Sequence, residues 1–494
     1  IKRDGTRLEG DAYVDGQWVR WQRGLPRKMA GYRSINKYLS DVPRTINEFT
    51  QDLLTHLHVG SATAVEQLYI DGSFNTSVIT DRTPVALTAS AANLWQFDTM
   101  KISGSANTLL AQVAPNLNCS CNTTGGELYY GDLTGTAALT AITLPADASV
   151  TGGIVALHPY LLFFGDDGYV GWSVAGDPTD LIGAGSGAAN VTGKKIVRGL
   201  PMRGGGSGPA GLLWSVDALV RANFVGGSAV WAFDEVTSGT SVLSPSSIIE
   251  YDGVYYWCGV DRFLMFNGVV RDVENQMNTN YFFDNLNYSQ RMKVFAFKVP
   301  RFGEIWWCYP SGESTEPDRA VIYNVRENCW YDTALPNGGR GAGIFPTVFR
   351  RPLLTGVVDN GIGYKLWVHE IGTDEVDGAD TNPIPSYFET ADISLPIQAG
   401  DNRSLQVITI EPDFVQAGDM TVQVKGRANA RAPEIDGEIM TFPDTATSVS
   451  EQIVNFKEGR RQLRFRFESN CVGGNYEMGH VLAHVRPADG RTTG

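Results

Sequence analysis

The chain has 494 residues, of which 43% are apolar and 19% are charged, with 55 Gly and 23 Pro. This composition excludes collagen-like and disordered chains, because Gly plus Pro stays well below the fraction that such chains carry. Forty basic and 54 acidic residues give a net charge of -14, which disfavours nonspecific adhesion of the whole surface to nucleic acid. Abundant aromatic residues, Val, Ile and Thr favour strands over helices, so we predict an all-β fold.

The chain carries no sign of a membrane span. No run approaches the roughly 18 apolar residues that a span needs, and the first residues lack the apolar core of a signal peptide. Its six Cys lie far apart in the chain, unlike the framework of a small secreted domain. We therefore expect a soluble protein with reduced thiols, made in a cytoplasm.

The amino-terminal segment differs from the rest in charge. Residues 1–33 hold eight basic and four acidic residues, a net charge of +4, so the remainder carries -18. Arginine and tryptophan together are typical anchors of protein contacts and of stacking on single-stranded nucleic acid. A strand whose charges face water is the alternative. The candidate contact residues of this arm are Trp18, Arg20, Trp21, Arg23, Arg27 and Lys28.

One sequence motif recurs along the chain: two apolar residues, a turn with Gly or Asp, and an aromatic-rich strand. The clearest pair is 164–172 against 258–266, where Gly, Asp and aromatic residues fall in register. One equivalent position can be marked in each copy of this motif, and the marked positions are separated by a mean of about 49 residues. They are Gly60, Val113, Gly165, Ser215, Gly259, Tyr309 and Gly356. This is close to the period of a four-stranded propeller blade. We predict a β-propeller of about seven blades.

The strands of this repeat have the composition of sheets packed between two neighbours. Residues 254–258 and 305–309 are apolar on both faces, as such a sheet requires. The first and last blades of a ring must also be tied together. Residues 12–21 precede the first blade and form a strand-turn-strand phrase with an Asp15-Gly16 signal for a type I′ turn. We predict that part of this segment completes or clamps the last blade.

The repeat ends near residue 372, and a different residue pattern follows. We predict a basic arm with clamping strands at 1–37, a propeller at 38–372, a linker at 373–385 and a jelly-roll-like β-sandwich at 386–494. Alternating strands are predicted at 387–393, 405–412, 420–427, 448–456, 462–468 and 477–486. Within 461–467, Leu463, Phe465 and Phe467 share one face, and Arg464 and Arg466 form a basic stripe on the other.

Acidic residues gather at the predicted linker. Between Leu366 and Ile393 there are seven acids and no Lys or Arg. Calcium prefers such ligands, but the spacing lacks the alternate positions and terminal Glu of an EF-hand loop. A solvated linker or the wall of a lumen is the favoured interpretation. The candidate acids are Asp374, Glu375, Asp377 and Asp380.

No other group of residues predicts a catalytic, metal or cofactor site. Cys119 and Cys121 lack a second ligand pair for zinc. The pairs His56/His58 and His480/His484 supply too few ligands for a catalytic zinc, and Cys258 and Cys308 occupy equivalent repeat positions, as small core residues do. Gly204–Gly208 lacks the ending of a phosphate loop. We predict that the chain is not an enzyme and needs no cofactor.

Several phrases together resemble a known family. They are Asp15 to Trp21, Leu25 to Tyr32, and Val424 to Arg427, placed around a degenerate propeller and a sandwich. This arrangement is similar to the tail nozzle proteins of short-tailed bacteriophages, also described as tail-hub or packaged-DNA stabilisation proteins. The resemblance implies a homohexameric ring below the adaptor ring of the virion, with tail fibres or spikes as further partners. It also implies a lumen that holds double-stranded DNA and conducts it at ejection, without enzyme activity.

In such a phage tail, the resemblance gives the basic and acidic residues named above different roles. The arm residues, Arg464 and Arg466 would contact neighbouring subunits, the adaptor or tail fibres, and the acids would line a lumen that repels phosphate. Two other classes remain as alternatives. The first is a secreted carbohydrate-active propeller enzyme with a sugar-binding sandwich, and the second is a propeller scaffold of an unrelated complex.

Overall fold

The computed structural model describes residues 1–5, 13–85, 87, 94–102, 107–113, 127–202, 208–394, 404–429, 431–445 and 452–488. In this part of the chain a single short α-helix, α1 (Thr279–Asn285), and four 3-10 turns accompany 41 strands. The turns span residues 166–168, 227–229, 245–247 and 288–293. The prediction of an all-β fold is confirmed.

Residues 13–39 form a segment that we call the strap. Its strands are β1 (Asp15–Gln17), β2 (Val19–Gln22), β3 (Leu25–Lys28) and β4 (Tyr32–Leu39). Arg23 and Gly24, with φ of 54° and 73°, make the turn between β2 and β3. The predicted turn at Asp15-Gly16 is wrong, because both residues lie inside β1. Gly16 serves a close approach there, since a Cβ would lie 3.3 Å from the Tyr387 carbonyl oxygen.

Six four-stranded antiparallel sheets follow, each built from consecutive strands, and we number them blades 1 to 6. Blades 1 to 3 contain β5 (Pro43–Gln51), β6 (Leu54–Ser61), β7 (Val65–Ile70), β8 (Thr80–Asp81), β9 (Trp95–Lys101), β10 (Asn107–Val113), β11 (Glu127–Asp132), β12 (Thr140–Ala141), β13 (Gly153–Leu157), β14 (Tyr160–Phe164), β15 (Tyr169–Trp172) and β16 (Gly187–Asn190). Blades 4 to 6 contain β17 (Ile196–Pro201), β18 (Ala210–Ser215), β19 (Ala218–Phe224), β20 (Trp231–Ser238), β21 (Ile249–Tyr251), β22 (Val254–Cys258), β23 (Phe263–Phe266), β24 (Val270–Asp272), β25 (Phe295–Val299), β26 (Glu304–Tyr309), β27 (Arg319–Asn324) and β28 (Cys329–Ala334).

Blade 7 takes its fourth strand from the strap. Its own strands are β29 (Arg340–Ile344), β30 (Leu353–Asp359) and β31 (Tyr364–His369), followed by the outer hairpin of β32 (Glu375–Asp377) and β33 (Asp380–Asn382). The sheet order is β29-β30-β31-β4-β32-β33. A segment from before blade 1 therefore completes the last blade, but it is residues 32–39 and not part of 12–21, for which this role was predicted. Strands β1 and β2, which hold the described residues of that earlier segment, lie in other sheets.

The blades form a closed ring. First strands of neighbouring blades contact one another in most of the ring, so that β13 contacts both β9 and β17, and β29 contacts both β25 and β5. An apolar cluster that includes Trp214 and Trp257 joins blades 4 and 5. The contact between β29 and β5 joins blade 7 to blade 1. All seven marked positions lie in, or directly after, the second strand of a blade. The predicted period is thus confirmed, and the blade number is seven.

Each junction between adjacent blades holds its own apolar cluster. Trp257 packs between blades 4 and 5, while its chain neighbours Tyr256 and Cys258 pack between blades 5 and 6. Successive residues of a strand point to opposite faces of the sheet. A strand between two neighbours must therefore be apolar at every position, which explains why these strands do not alternate.

The remaining strands form two further sheets, which we call the C-terminal unit. They are β34 (Ser386–Glu389), β35 (Ser404–Ala417), β36 (Met420–Arg427), β37 (Ile435–Phe442), β38 (Val454–Asn455), β39 (Gly459–Arg460), β40 (Gln462–Ser469) and β41 (Asn475–Ala488). Sheet S1 has the order β1-β34-β40-β36-β37. Sheet S2 has the order β2-β3-β41-β35-β38, with β39 also paired to β35. Both sheets contribute side chains to one cluster, for example Val422 and Phe467 from S1 with Val407 and Ile410 from S2.

The structure corrects the predicted boundaries. Residues 373–385 are not a linker, because β32 and β33 lie within them and extend blade 7. The boundary at residue 37 falls inside β4, and the predicted arm supplies strands to S1, S2 and blade 7. Hydrogen bonds between segments far apart in the chain decide these memberships, and local composition does not report them. Strand β37 was also absent from the predicted set.

Candidate functional site

The strap, blades 6 and 7, and the C-terminal unit meet at one junction, which we take as the candidate functional site. Strand β1 pairs with β34 in S1, and β3 pairs with β41 in S2. Both β1 and β2 also contact β28, the outer strand of blade 6. The strap strands thus join S1, S2 and blades 6 and 7. Apart from the β2–β3 hairpin, each of these pairings is with a strand far away in the chain.

A buried arginine joins the strap to two blades. The Arg20 Nε lies 2.8 Å from Oε1 of Glu304 in blade 6, and its Nη2 lies 2.5 Å from Oε1 of Glu370, the residue after β31. Tyr331 and Trp306 donate further hydrogen bonds to the Glu304 carboxylate, at 2.6 and 2.9 Å. The guanidinium therefore holds three separate elements together within a hydrogen-bonded network.

The protonation of this network follows from burial and charge. Burial raises the pKa of Glu304, and the nearby Glu370 carboxylate adds to that rise, although Arg20 opposes it. Burial also disfavours the charged form of Arg20, but the two carboxylates outweigh this and raise the pKa of the guanidinium. A single cation thus neutralises two acids, so loss of that cation would leave both acids close together.

A second buried arginine lies beside the first network. The Arg340 Nε donates to Nε2 of His369 at 3.2 Å, and its Nη1 donates to the carbonyls of Pro336 and Gly339. The guanidinium also lies 5.3 Å from the ring centroids of Tyr32 and of Trp367. Burial lowers the pKa of Arg340 to about 10. Burial, with Arg340 adjacent, holds the pKa of His369 well below its ordinary value.

The C-terminal unit carries a third ionic network on sheet S1. Arg464 contacts Glu389 at 3.2 Å, Asp392 at 3.0 Å and Glu434 at 2.5 Å. Lys425 pairs with Glu389 and Glu434 as well. The predicted basic stripe is therefore neutralised by Glu389 of the neighbouring strand β34 and by two acids next to strands of S1, Asp392 after β34 and Glu434 before β37.

The structure corrects the interface prediction for five residues. Their side chains are buried inside one chain and cannot contact a neighbouring subunit; they are Trp18, Arg20, Trp21, Lys28 and Arg464. Trp18 packs against Tyr32 and Trp306, and Lys28 donates to the Gly474 carbonyl at 2.7 Å. The sequence shows that these residues make contacts, but it does not show that the contacts are internal.

The other three predicted interface residues keep access to solvent. The side chain of Arg23 is 79% exposed, and that of Arg27 is 32% exposed. Arg466 is partly covered, because its guanidinium lies 3.5 Å from the centroid of the Tyr387 ring and pairs with Glu468. For these three residues a role in contacts between subunits stays a prediction.

The predicted lumen acids lie at the rim of blade 7. The Tyr32 hydroxyl and the Asn337 amide donate to Glu375, Lys365 pairs with Asp377, and Asp380 is exposed on β33. Strands β32 and β33 are the last two of the blade, counted outward from β29. These acids therefore lie away from the propeller axis. Whether they face a channel between subunits stays a prediction.

Two polar contacts join blades that are not adjacent in the ring. Arg198 of blade 4 reaches Gln96 of blade 2 at 3.3 Å, past the inner strand of blade 3. Arg44 of blade 1 likewise reaches Glu316, in the loop after β26 of blade 6. Each contact therefore links two blades across the blade that lies between them.

The cysteines and histidines that the sequence singles out form no metal site among the described residues. Cys258, Cys308 and His58 are fully buried, and His56 is nearly so. His484 lies 2.9 Å from Glu411 on sheet S2. Cys119, Cys121 and residues 203–207 lie outside the described residues. Within the described ranges no group of three or more His, Cys, Asp or Glu could hold a metal ion.

Sequence reasoning missed Glu304 and Arg340, and it placed Glu370 only among the seven acids near the predicted linker. Glu304 offers a signal, because it is the lone acid at the start of an otherwise apolar strand, and such an acid is buried only with a partner. Glu370 has a φ of 60°, which the sequence does not reveal. The arrangement as a whole can fasten segments together, since its charged groups are directed at one another.

Comparison with known protein families and with curated sequences gives no match. Among solved structures, the WD40 β-propeller domain of Doa1 is similar over 72% of this chain and 96% of that chain, with 8% sequence identity and a TM-score of 0.38. The propeller assignment rests on the strand order and ring contacts of this chain. No helix in the described part of the chain is long and apolar enough to cross a membrane.

Proposed function

We propose that this chain is a structural protein of a short phage tail, forming a nozzle or hub ring that retains packaged DNA and conducts it at ejection. One observation carries the proposal. The phrases that resemble nozzle proteins, Asp15 to Trp21 and Leu25 to Tyr32, build the strap that joins the propeller to the C-terminal unit. The resemblance therefore falls on residues that connect the propeller to the C-terminal unit, which we assign as a β-sandwich.

Charge supports a role beside a polyanion. Residues 1–33 carry +4, residues 34–385 carry -14 and residues 386–494 carry -4. A strongly acidic propeller offers phosphate few places to adhere, as a conduit for DNA requires. By the resemblance, the DNA path is a channel formed between several copies of the chain. A ring of copies, six by the resemblance, with the adaptor as neighbour, forms such a channel.

The test uses the full chain and DNA-filled heads of a short-tailed phage that carry the adaptor but lack the nozzle. We expect negative-stain images of a ring at the adaptor vertex and retention of DNA that the bare heads lose. Light scattering of the chain alone would show whether the ring forms without its template. Failure to bind such heads, or turnover of a glycan by the purified chain, would overturn the proposal.

The structure also selects the variants for this test. Deletion of residues 1–37 would remove most of β4 and all of β1 to β3, so the propeller itself would not close. Arg23→Glu and Arg27→Glu change accessible side chains of the strap and leave the buried network in place. If the strap contacts a neighbouring subunit or the adaptor, this double variant folds but is incorporated less.

A further inference from the structure

Strand β4 is held on both of its edges. It pairs antiparallel with β31, where Tyr32 lies opposite His369, and parallel with β32, where Tyr32 lies opposite Glu375. A closing strand at the rim of a blade would leave one edge free and could peel away. In this chain the residues that follow β31 return to cover that edge.

The turn before β4 is hydrogen-bonded to the same residues after β31 that cover the edge of β4. Gly31 donates its N–H to the Gly372 carbonyl at 2.9 Å and accepts from the Ile371 N–H at 3.0 Å. A Cβ on Gly31 would lie 2.2 Å from the Asp374 carbonyl oxygen, so the two segments touch through their backbones. The Asp374 carboxylate in turn accepts the Gly473 N–H, at 3.0 and 2.8 Å, from a turn of the C-terminal unit.

The part of the strap before β4 is embedded in the C-terminal unit. Ser386 donates to the Trp18 carbonyl at 3.0 Å, and its hydroxyl lies 2.7 Å from the Tyr476 hydroxyl. Together with the pairing of β1 to β34 and of β3 to β41, these contacts hold the strap between S1 and S2. Strand β4 is therefore fixed upstream by the C-terminal unit and downstream by blade 1.

We propose that the C-terminal unit is the latch of the propeller ring: β4 can leave blade 7 only after S1 and S2 have released the strap. The propeller and the C-terminal unit then open as one cooperative body, although their sheets are distinct. This device is independent of the proposed function, because it concerns the closure of the ring in any setting.

The test cuts the covalent link between the two parts. A protease site inserted in the exposed turn between Asp377 and Asp380 splits the chain into a fragment with the strap and propeller and a fragment with most of S1 and S2. We expect the cut fragments to elute together in native buffer and to lose structure in a single denaturant transition. Release of a folded propeller fragment on its own would overturn the latch.

A matched control carries the same site at Asn267-Gly268, an exposed turn within blade 5, to separate damage by insertion from release of the latch. Hydrogen exchange on the uncut chain gives a second readout. Amides of β4 should exchange no faster than those of β35 and β41, because they open together. The variant Asp374→Ala, which frees Gly473, should speed exchange in β4, whereas Asp380→Ala, on the same hairpin, should not. Faster exchange in β4 than in S2 of the unmodified chain would contradict the latch.

Discussion

Arg20 and Glu304 form an ion pair of 2.8 Å in which neither side chain has more than 1% exposure, although 284 positions separate them in the chain. The pair fixes the strap to blade 6, and Glu370 extends the contact to blade 7. Burial of two charges is costly, and their attraction offsets that cost only when both partners remain. The junction therefore depends strongly on each member of the network.

We expect Arg20→Met to lower the free energy of unfolding by about 3–5 kcal/mol, because it leaves the buried Glu304 carboxylate and the partly buried Glu370 carboxylate without a cation. Chemical denaturation monitored by tryptophan fluorescence measures the change. Arg23→Met is the matched control: it removes the same side chain three positions away, at an exposed turn, and should shift the value by less than about 0.5 kcal/mol. Equal effects of the two substitutions would show that the buried network adds nothing.

The contribution of His58 to stability should fall as the pH drops from about 6.5 to about 4. Burial lowers the pKa of His58 from 6.5 to about 4 in the folded chain, so over this range the unfolded state takes up a proton that the folded state refuses. This contribution is present above pH 6.5, and by pH 4 about 3 kcal/mol of it is lost.

Denaturant midpoints across this pH range measure the loss. The His58 Nε2 lies 3.1 Å from the Leu133 carbonyl, a contact that the Gln amide in His58→Gln can also make. The variant should show a shallower decline than the unmodified chain. His369 contributes in the same direction and supplies part of the slope that remains. Parallel pH profiles for the two proteins would show that His58 is not the source of the loss of stability.

Gly31→Ala should destabilise the chain by about 1–3 kcal/mol, because the added methyl would meet the backbone of Asp374 at 2.2 Å and force β4 and β32 apart. Thermal unfolding measures the effect. Gly72→Ala is the control, since nothing lies within 4 Å of a Cβ there. A neutral Gly31→Ala variant would mean that the two strands separate at little cost.

Two thiols should be inert in the native protein. Burial raises the pKa of Cys258 and of Cys308, so neither supplies thiolate at neutral pH. Iodoacetamide labelling followed by peptide mass mapping should find these two unmodified until the chain unfolds. Cys471, which is partly exposed, is the internal comparison and should be labelled first among these three. Labelling of Cys258 at the rate of Cys471 would show that blade 5 opens locally.

The sequence alone determined the repeating part of the fold. The period of about 49 residues placed the second strand of every blade, because each blade repeats the same requirement for two apolar faces. Similarly, the alternation of Leu463, Phe465 and Phe467 with Arg464 and Arg466 predicted the core face of β40. Patterns of this kind are local, so they can be read without knowledge of distant partners.

Only the tertiary structure decided how the segments outside the repeat are used. The sequence marks Arg20 and Arg464 as residues that make contacts. Their partners Glu304, Glu370 and Glu389 lie 284, 350 and 75 positions away and share no motif with them. Whether such a side chain faces solvent, another subunit or its own chain depends on which distant strand lies beside it. That choice is made by backbone pairing and burial across the whole fold. It buried Trp18, Arg20 and Arg464 within the chain and left Arg23 and Asp380 exposed.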